Sequence, residues 1–375
     1  TVNLDNVHTF RGSATIQNLD PIENMRKDAE IANLQTNSEL LASFIPPDQL
    51  PENFHDLGEI TYSGRVYGTY NALNATGRIT SGVGVLEPEI TMNLANQAYK
   101  GTITTENFDL SFLNTGREGL GRVSLTATVE GQGFNIEEMQ TQGALDIASI
   151  EYNDYTYRNI RLEGGIEDRV VTGNLVVDDE NIDLEFDGTL SLNEDVPVYD
   201  FRATVNQVNF QKLNLTEEPL RMRGNFDFNF RGPDIDHLQG EGLITDLVLQ
   251  GSGPTVREDS VRLVSTVEND TQRLVLRSGM MDADIVGEFG ITQIPVAFMA
   301  VIDHYTDAFP GTVAVTAPQQ FSYDLLLKEV GPLLSAFVPG IESVKRGFAR
   351  GRVNTTDNTL VLESDLNRVR FKNMT

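Results

Sequence analysis

The stretch Ile182-Asp183-Leu184-Glu185-Phe186-Asp187-Gly188-Thr189-Leu190-Ser191-Leu192 decides the fold. Apolar or small residues hold every even position, and polar residues hold the odd ones, the period-2 signature of a strand with one dry face and one wet face. A helix cannot sort this pattern onto one side, because residues two apart lie on opposite flanks of a 3.6-residue turn. The same grammar sets Met222, Gly224, Phe226, Phe228 and Phe230 against Arg221, Arg223, Asn225, Asp227, Asn229 and Arg231. It also sets Val123, Leu125, Ala127 and Val129 against Ser124, Thr126, Thr128 and Glu130. The chain therefore reads as mainly β, built from long one-sided strands, and its function turns on what covers their dry face.

Outward from that stretch, Gly143 to Leu192 reads as a meander of strands over 145–150, 155–162, 170–177 and 182–192. Their expected turns are Asn153-Asp154, Gly164-Gly165 and Asp178-Asp179-Glu180-Asn181. Strands bounded by glycine are expected to end at Gly68, Gly131 and Gly232 and to start at Gly77, Gly143 and Gly242, an irregular internal repeat. Leu213-Asn214-Leu215 reads as part of one copy. Further strands are expected at 198–208, 243–249, 261–267, 274–276 and 285–289, and Pro295 to Ile302 reads as another. Short amphipathic helices are expected near 38–45, capped by Ser38 and stopped by Pro46 and Pro47, and over 321–345, where Leu326, Val330, Leu333, Leu334, Phe337 and Ile341 fall at helical spacing. In domain terms, 1–50 is an entry segment, 51–305 a repeated β groove, 306–348 a linker with short helices, and 349–375 the start of a further β repeat.

Charge and composition narrow the function. Lysine and arginine total 28 against 55 acidic residues, a net charge of -27 that repels phosphate backbones, so a nucleic-acid partner is excluded. There is no cysteine, which removes disulfides and thiolate chemistry together and fits a periplasmic protein. The apolar run from Ile294 to Ile302 is too short to span a bilayer and contains Pro295. Thr1 rather than Met begins the sequence, which reads as a segment of a longer precursor. No Gly-x-Ser-x-Gly elbow or phosphate-binding glycine loop is present, and His8, His55, His237 and His304 lack metal-ligand spacing, so neither an enzyme nor a cofactor is expected. The acidic turn at Asp178, Asp179, Glu180, Asn181 and Asp183 reads as a solvated hairpin turn, with calcium as the alternative.

About fifteen strands and two helical patches leave an apolar face to be buried. The sheet can pack on a second sheet, close into a barrel, or curve into a trough that an apolar ligand completes. Strands of about ten residues exceed the five or six usual in sandwiches and suit a curved wall. The lining candidates are Ile182, Leu184, Phe186, Leu190 and Leu192, then Met222, Phe226, Phe228 and Phe230; the alternative is that they are core positions facing another sheet.

The segment Tyr99-Lys100-Gly101 to Leu113, leading into Leu120-Gly121-Arg122-Val123-Ser124, and the cassette Gly143-Ala144-Leu145-Asp146-Ile147, Tyr152-Asn153-Asp154-Tyr155-Thr156-Tyr157-Arg158-Asn159-Ile160 and Gly188 together carry a resemblance. They resemble a middle segment of the TamB family, the translocation and assembly module subunits of the AsmA-like superfamily, in their Bacteroidetes-type form, over about residues 50–305. The resemblance implies an elongated, curved antiparallel β groove, a β-taco, crossing the periplasm from an inner-membrane anchor outside this segment. It implies a role in outer-membrane biogenesis: passage of phospholipid between membranes, assembly of outer-membrane proteins with a TamA-type barrel partner, or both. Phospholipid acyl chains would then be the groove's ligand. The rival expectation is a secreted structural or adhesive β-repeat protein with a filled core and no ligand.

Overall fold

The computed structural model describes residues 2–3, 8–18, 25–42, 53–113, 119–133, 135, 138–193, 196–269, 271–306, 315–328 and 341–371. The described chain is mainly β and antiparallel, with few helices. It divides into two compact units, Thr1–Asp183 with Lys212–Leu215, and Leu184–Gln211 with Thr216–Thr375.

In the first unit the strands are β1 (Val2–Asn3), β2 (Thr9–Gln17), β3 (Arg26–Asn37), β4 (Glu59–Thr69), β5 (Ala72–Ser81), β6 (Gly84–Asn93), β7 (Ala98–Asp109), β8 (Leu120–Gln132), β9 (Gln140–Tyr152), β10 (Tyr155–Glu167) and β11 (Val170–Asp178). Each pairs antiparallel with the next in the chain. Two-residue hairpins join the last three: Asn153 and Asp154 sit at φ 51° and 59°, and Asp168 and Arg169 at φ 48° and 61°. Two successive left-handed residues are the type I′ geometry that matches the twist of the flanking strands.

β12 (Ile182–Ser191) carries the chain across the junction between the units. In the second unit β13 (Val198–Asn209), β14 (Arg221–Arg231), β15 (Gln239–Gln250), β16 (Val256–Glu268), β17 (Thr271–Ser278), β18 (Met281–Glu288), β19 (Gln320–Leu327), β20 (Ile341–Asn354) and β21 (Thr359–Phe371) again pair in order. Among the described residues one α-helix, of 14 residues, interrupts the strands here, Gln293–Thr306. With the short helix Ser38–Ala42 of the first unit called α1, it is α2. No helix among the described residues is long and apolar enough to cross a membrane.

Several expectations are corrected. Gly164-Gly165 is not a turn but lies inside β10, with Gly164 opposite Gly173 on one side and Gly143 on the other; the turn comes at Asp168-Arg169. Gly77, Gly143 and Gly242 likewise sit within strands rather than starting them, whereas Gly68 and Gly131 stand one residue from the ends of β4 and β8. Leu213-Asn214-Leu215 lies in the turn region between β13 and β14. The stretch 295–302 is helix α2, not a strand, because a continuous apolar run carries no period to separate the two and Pro295 is tolerated in a helix's first turn. The expected helix over 321–345 is contradicted at both ends: 321–327 belongs to β19 and 341–345 to β20, while 329–340 lie outside the described residues. Of the helix near 38–45, Ser38–Ala42 is present and 43–45 lie outside the described residues. Its cap is Asn37, whose Oδ1 accepts from Leu40 N at 3.0 Å; Ser38 instead donates its hydroxyl to His55 O at 3.2 Å.

Bulges let long strands coil without losing their sidedness. In β7 the register shifts between Thr105 and Phe108, both buried, and the two residues between them are both exposed. In β13 the same holds for Val205 and Val208, with Asn206 and Gln207 exposed between them. An extra residue on the wet side returns the next apolar side chain to the dry side and increases local twist.

Candidate functional site: the dry faces

Strand registers carry the apolar side of each strand into rows that run across the sheet. In the first unit one row reads Ala29, Val66, Ala75, Ile90, Gly101, Val129, Gly143, Gly164, Gly173, each directly opposite the next. Another, of larger side chains, reads Tyr62, Ile79, Leu86, Thr105, Leu125, Ile147, Ile160, Val177. Most of these residues are part-exposed. Full burial concentrates at one end, where Ile60 (7%), Phe108 (8%) and Val123 (2%) lie, and where the turns Phe54–Leu57 and Ser111–Leu113 cover the sheet.

The second unit repeats the plan with aromatic rings. One row runs Phe201, Phe228, Gly242, Leu263, Leu276, Ala283, Leu325, Ala349. Ring centroids lie 5.5 Å apart for Phe186 and Phe201, 5.2 Å for Phe201 and Phe228, 6.0 Å for Phe226 and Phe228, and 5.8 Å for Phe228 and Phe230. These are the spacings of favourable edge-on and tilted aromatic pairs. Glycines make room for the rings: a Cβ on Gly242 would stand 2.5 Å from Phe228 Cδ1, and one on Gly188 2.9 Å from Phe186 Cζ.

Of the nine lining candidates, Phe226, Phe228 and Phe230 share one strand, and Phe186 joins them through Phe201. Leu184, Leu190, Leu192 and Met222 are part-exposed, with Met222 opposite Val208 and Leu249. Ile182 belongs to the first unit. Phe230 alone of the nine is buried, at 6% exposure. The residues missed are Tyr199 and Phe201 of β13 and the dry rows of β3 to β11; their signal is the same alternation, as in Tyr199, Phe201, Ala203 and Val205.

Helix α2 covers one end of this face. Ala297 and Val301, one helical turn apart, are fully buried against a cluster holding Leu274, Ile285, Phe321, Tyr323 and Val353. Asp236 pins its start, accepting from both Thr292 N (2.8 Å) and Thr292 Oγ1 (2.7 Å). Beyond the helix, Phe186, Phe201, Phe226 and Phe228 remain part-exposed.

Electrostatics separate the two sides. Cross-strand pairs such as Lys100 with Glu130, Arg161 with Asp146, Arg202 with Asp227 and Arg350 with Glu363 all lie on wet faces with exposed side chains. Hydrogen bonds from Arg65 hold the Asp28 carboxyl below the usual range, and those from Lys328 do the same for Asp282. On the dry side, burial pushes the phenols of Tyr62 and Tyr323 up. Both rings lie over glycines and donate to backbone carbonyls, Tyr62 to Thr76 O and Tyr323 to Val361 O, each at 3.0 Å.

The acidic turn is not simply solvated. Asp179 is buried (9%), and its carboxylate accepts from Tyr155 Oη (2.5 Å), Arg158 N (3.0 Å) and Asn181 N (2.9 Å), which ties the turn to β10. Among the described residues no group of three or more histidines and acids is placed to hold a metal ion. Comparison with protein families, with curated proteins and with solved structures gives no match to this chain.

Proposed function

We propose that this chain is a segment of a TamB-like cell-envelope protein whose dry face carries phospholipid acyl chains between membranes, in support of outer-membrane biogenesis. The observation that carries the reading is the set of apolar rows crossing successive strands in each unit, which among the described residues stay largely part-exposed away from the covered end. A surface of this kind binds by area. Each methylene withdrawn from water contributes about 0.8 kcal/mol, with little demand on headgroup chemistry. The acidic wet faces repel anionic headgroups, so lipid contact falls to the dry faces. An inner-membrane anchor outside the segment, a TamA-type barrel as partner, a periplasmic location and a part in outer-membrane protein assembly belong to the same proposal and rest on the family resemblance.

A structural β-repeat protein without ligand is the second reading, and the tightly packed core beneath α2 favours it. Mass spectrometry of organic extracts from the purified chain separates the two. The expected result is phospholipid with the parent and with Asp227→Asn, and its loss with Phe228→Asp while the strand signal in circular dichroism persists. A parent free of lipid, with a Phe228→Asp chain that unfolds, points to a closed core.

A further inference from the structure

We propose that α2 is a wall of the open dry face in the second unit, and that its flank carrying Phe298 and Ile302 meets acyl chains beside the row Leu276, Ala283, Leu325 and Ala349; the proposal rests on the lipid reading above. The helix runs across the strand ends. Its start is held by Asp236, in the turn between β14 and β15, and near its far end Tyr305 donates to Asn358 O (3.0 Å), in the turn between β20 and β21. Both turns lie at the ends where β18 leaves the sheet and β19 enters it. Its 14 residues, rising about 1.5 Å each, make about 21 Å, enough to cross the strands from β18 to β21 at about 4.8 Å apart.

The flanks of α2 differ. Ala297 and Val301 form its buried centre line. On one side Gln293 faces the strand-end loops, where its Oε1 accepts from Thr316 N (3.2 Å). On the other, Phe298 lies edge-on to Tyr323 (centroids 5.0 Å) and to Phe321 (5.7 Å), and Ile302 follows it one helical turn on. Phe298 and Ile302 are both part-exposed. Tyr323 is buried, whereas the next dry residue of β19, Leu325, is part-exposed between Ala283 and Ala349. Phe298 and Leu325 thus stand together at the margin of the core. Their row continues through Leu263 and Gly242 to Phe228 and Phe201, and in eight strands it holds no polar side chain. The backbone groups of these strands pair with one another, so a peptide laid here would leave its own N–H and C=O groups unsatisfied. Hydrocarbon asks for no such partners, which selects an acyl chain.

The chain has no tryptophan, so indoles can be placed one at a time in the full chain and mixed with phospholipid brominated in its acyl chains. Phe298→Trp is expected to lose most of its emission. Phe201→Trp, which reports on the lipid reading alone, is expected to do the same. Val296→Trp, on the far flank of the helix, is expected to keep its emission. Ile302→Trp reads the same flank as Phe298 if circular dichroism shows that the larger ring at 298 unfolds the chain. Quenching at 201 but at neither 298 nor 302 overturns the wall and leaves the lipid reading standing. Equal quenching at 296 and 298 overturns the wall as well, because the helix would then meet lipid without a preferred flank. No quenching at any position overturns the lipid reading and the wall with it.

Discussion

Arg169 holds a left-handed backbone, φ 61°, at the second position of the β10–β11 turn, where its Cβ crowds the following carbonyl and glycine or asparagine would be at ease. Arg169→Gly is therefore expected to raise stability by about 0.5–1 kcal/mol, read by urea unfolding. No change, or a loss, would show that the turn is not left-handed. The same scale explains a misreading. Glycine is most often punctuation, and the repeat of glycine-bounded strands follows from that rule. Here Gly77 and Gly242 lie inside strands where a Cβ has no room: at Gly77 it would meet the neighbouring Ser63 carbonyl first and the Tyr62 ring next, and at Gly242 the Phe228 ring itself. The rings and the glycines are both visible in the sequence; which ring meets which glycine depends on register.

At the scale of elements, covered and open parts of the dry face differ in what a truncation removes. Phe321, 2% exposed beneath α2, is expected to cost about 3–5 kcal/mol on replacement by alanine. Phe228, part-exposed in the open part, should cost about 1–2 kcal/mol, since less of its area leaves water on folding. Equal losses in thermal or urea unfolding would mean that the whole face is a filled core. Alternation made β8, β12 and β14 legible, and Tyr155 to Leu162 and Val170 to Val177 fall within β10 and β11. It failed where two periods overlap. Phe321, Tyr323 and Leu325 alternate as a strand, yet Leu326 also opens a helical spacing with Val330 and Leu333, and the longer pattern prevailed. Bulges hide in the same way: Val205 and Val208 are three apart, which ends an alternating run on paper while the strand itself continues.

For the whole molecule, charge argued against a nucleic-acid partner, and the nine lining residues include the centre of the aromatic cluster. Phe201 lies on a visible alternation, but that it links Phe186 to Phe228 was hidden, because strand pairing is long-range information that no local pattern contains. The cover supplied by α2 was hidden for the same reason. The central claim is that the open dry face meets acyl chains, and a chain without tryptophan allows a single reporter to test it. Phe201→Trp places an indole on the dry side, and Asn229→Trp places one on the wet side of the neighbouring strand. With phospholipid brominated in its acyl chains, strong quenching of the first reporter and none of the second is the predicted result. Equal quenching of both, or none of either, would contradict it.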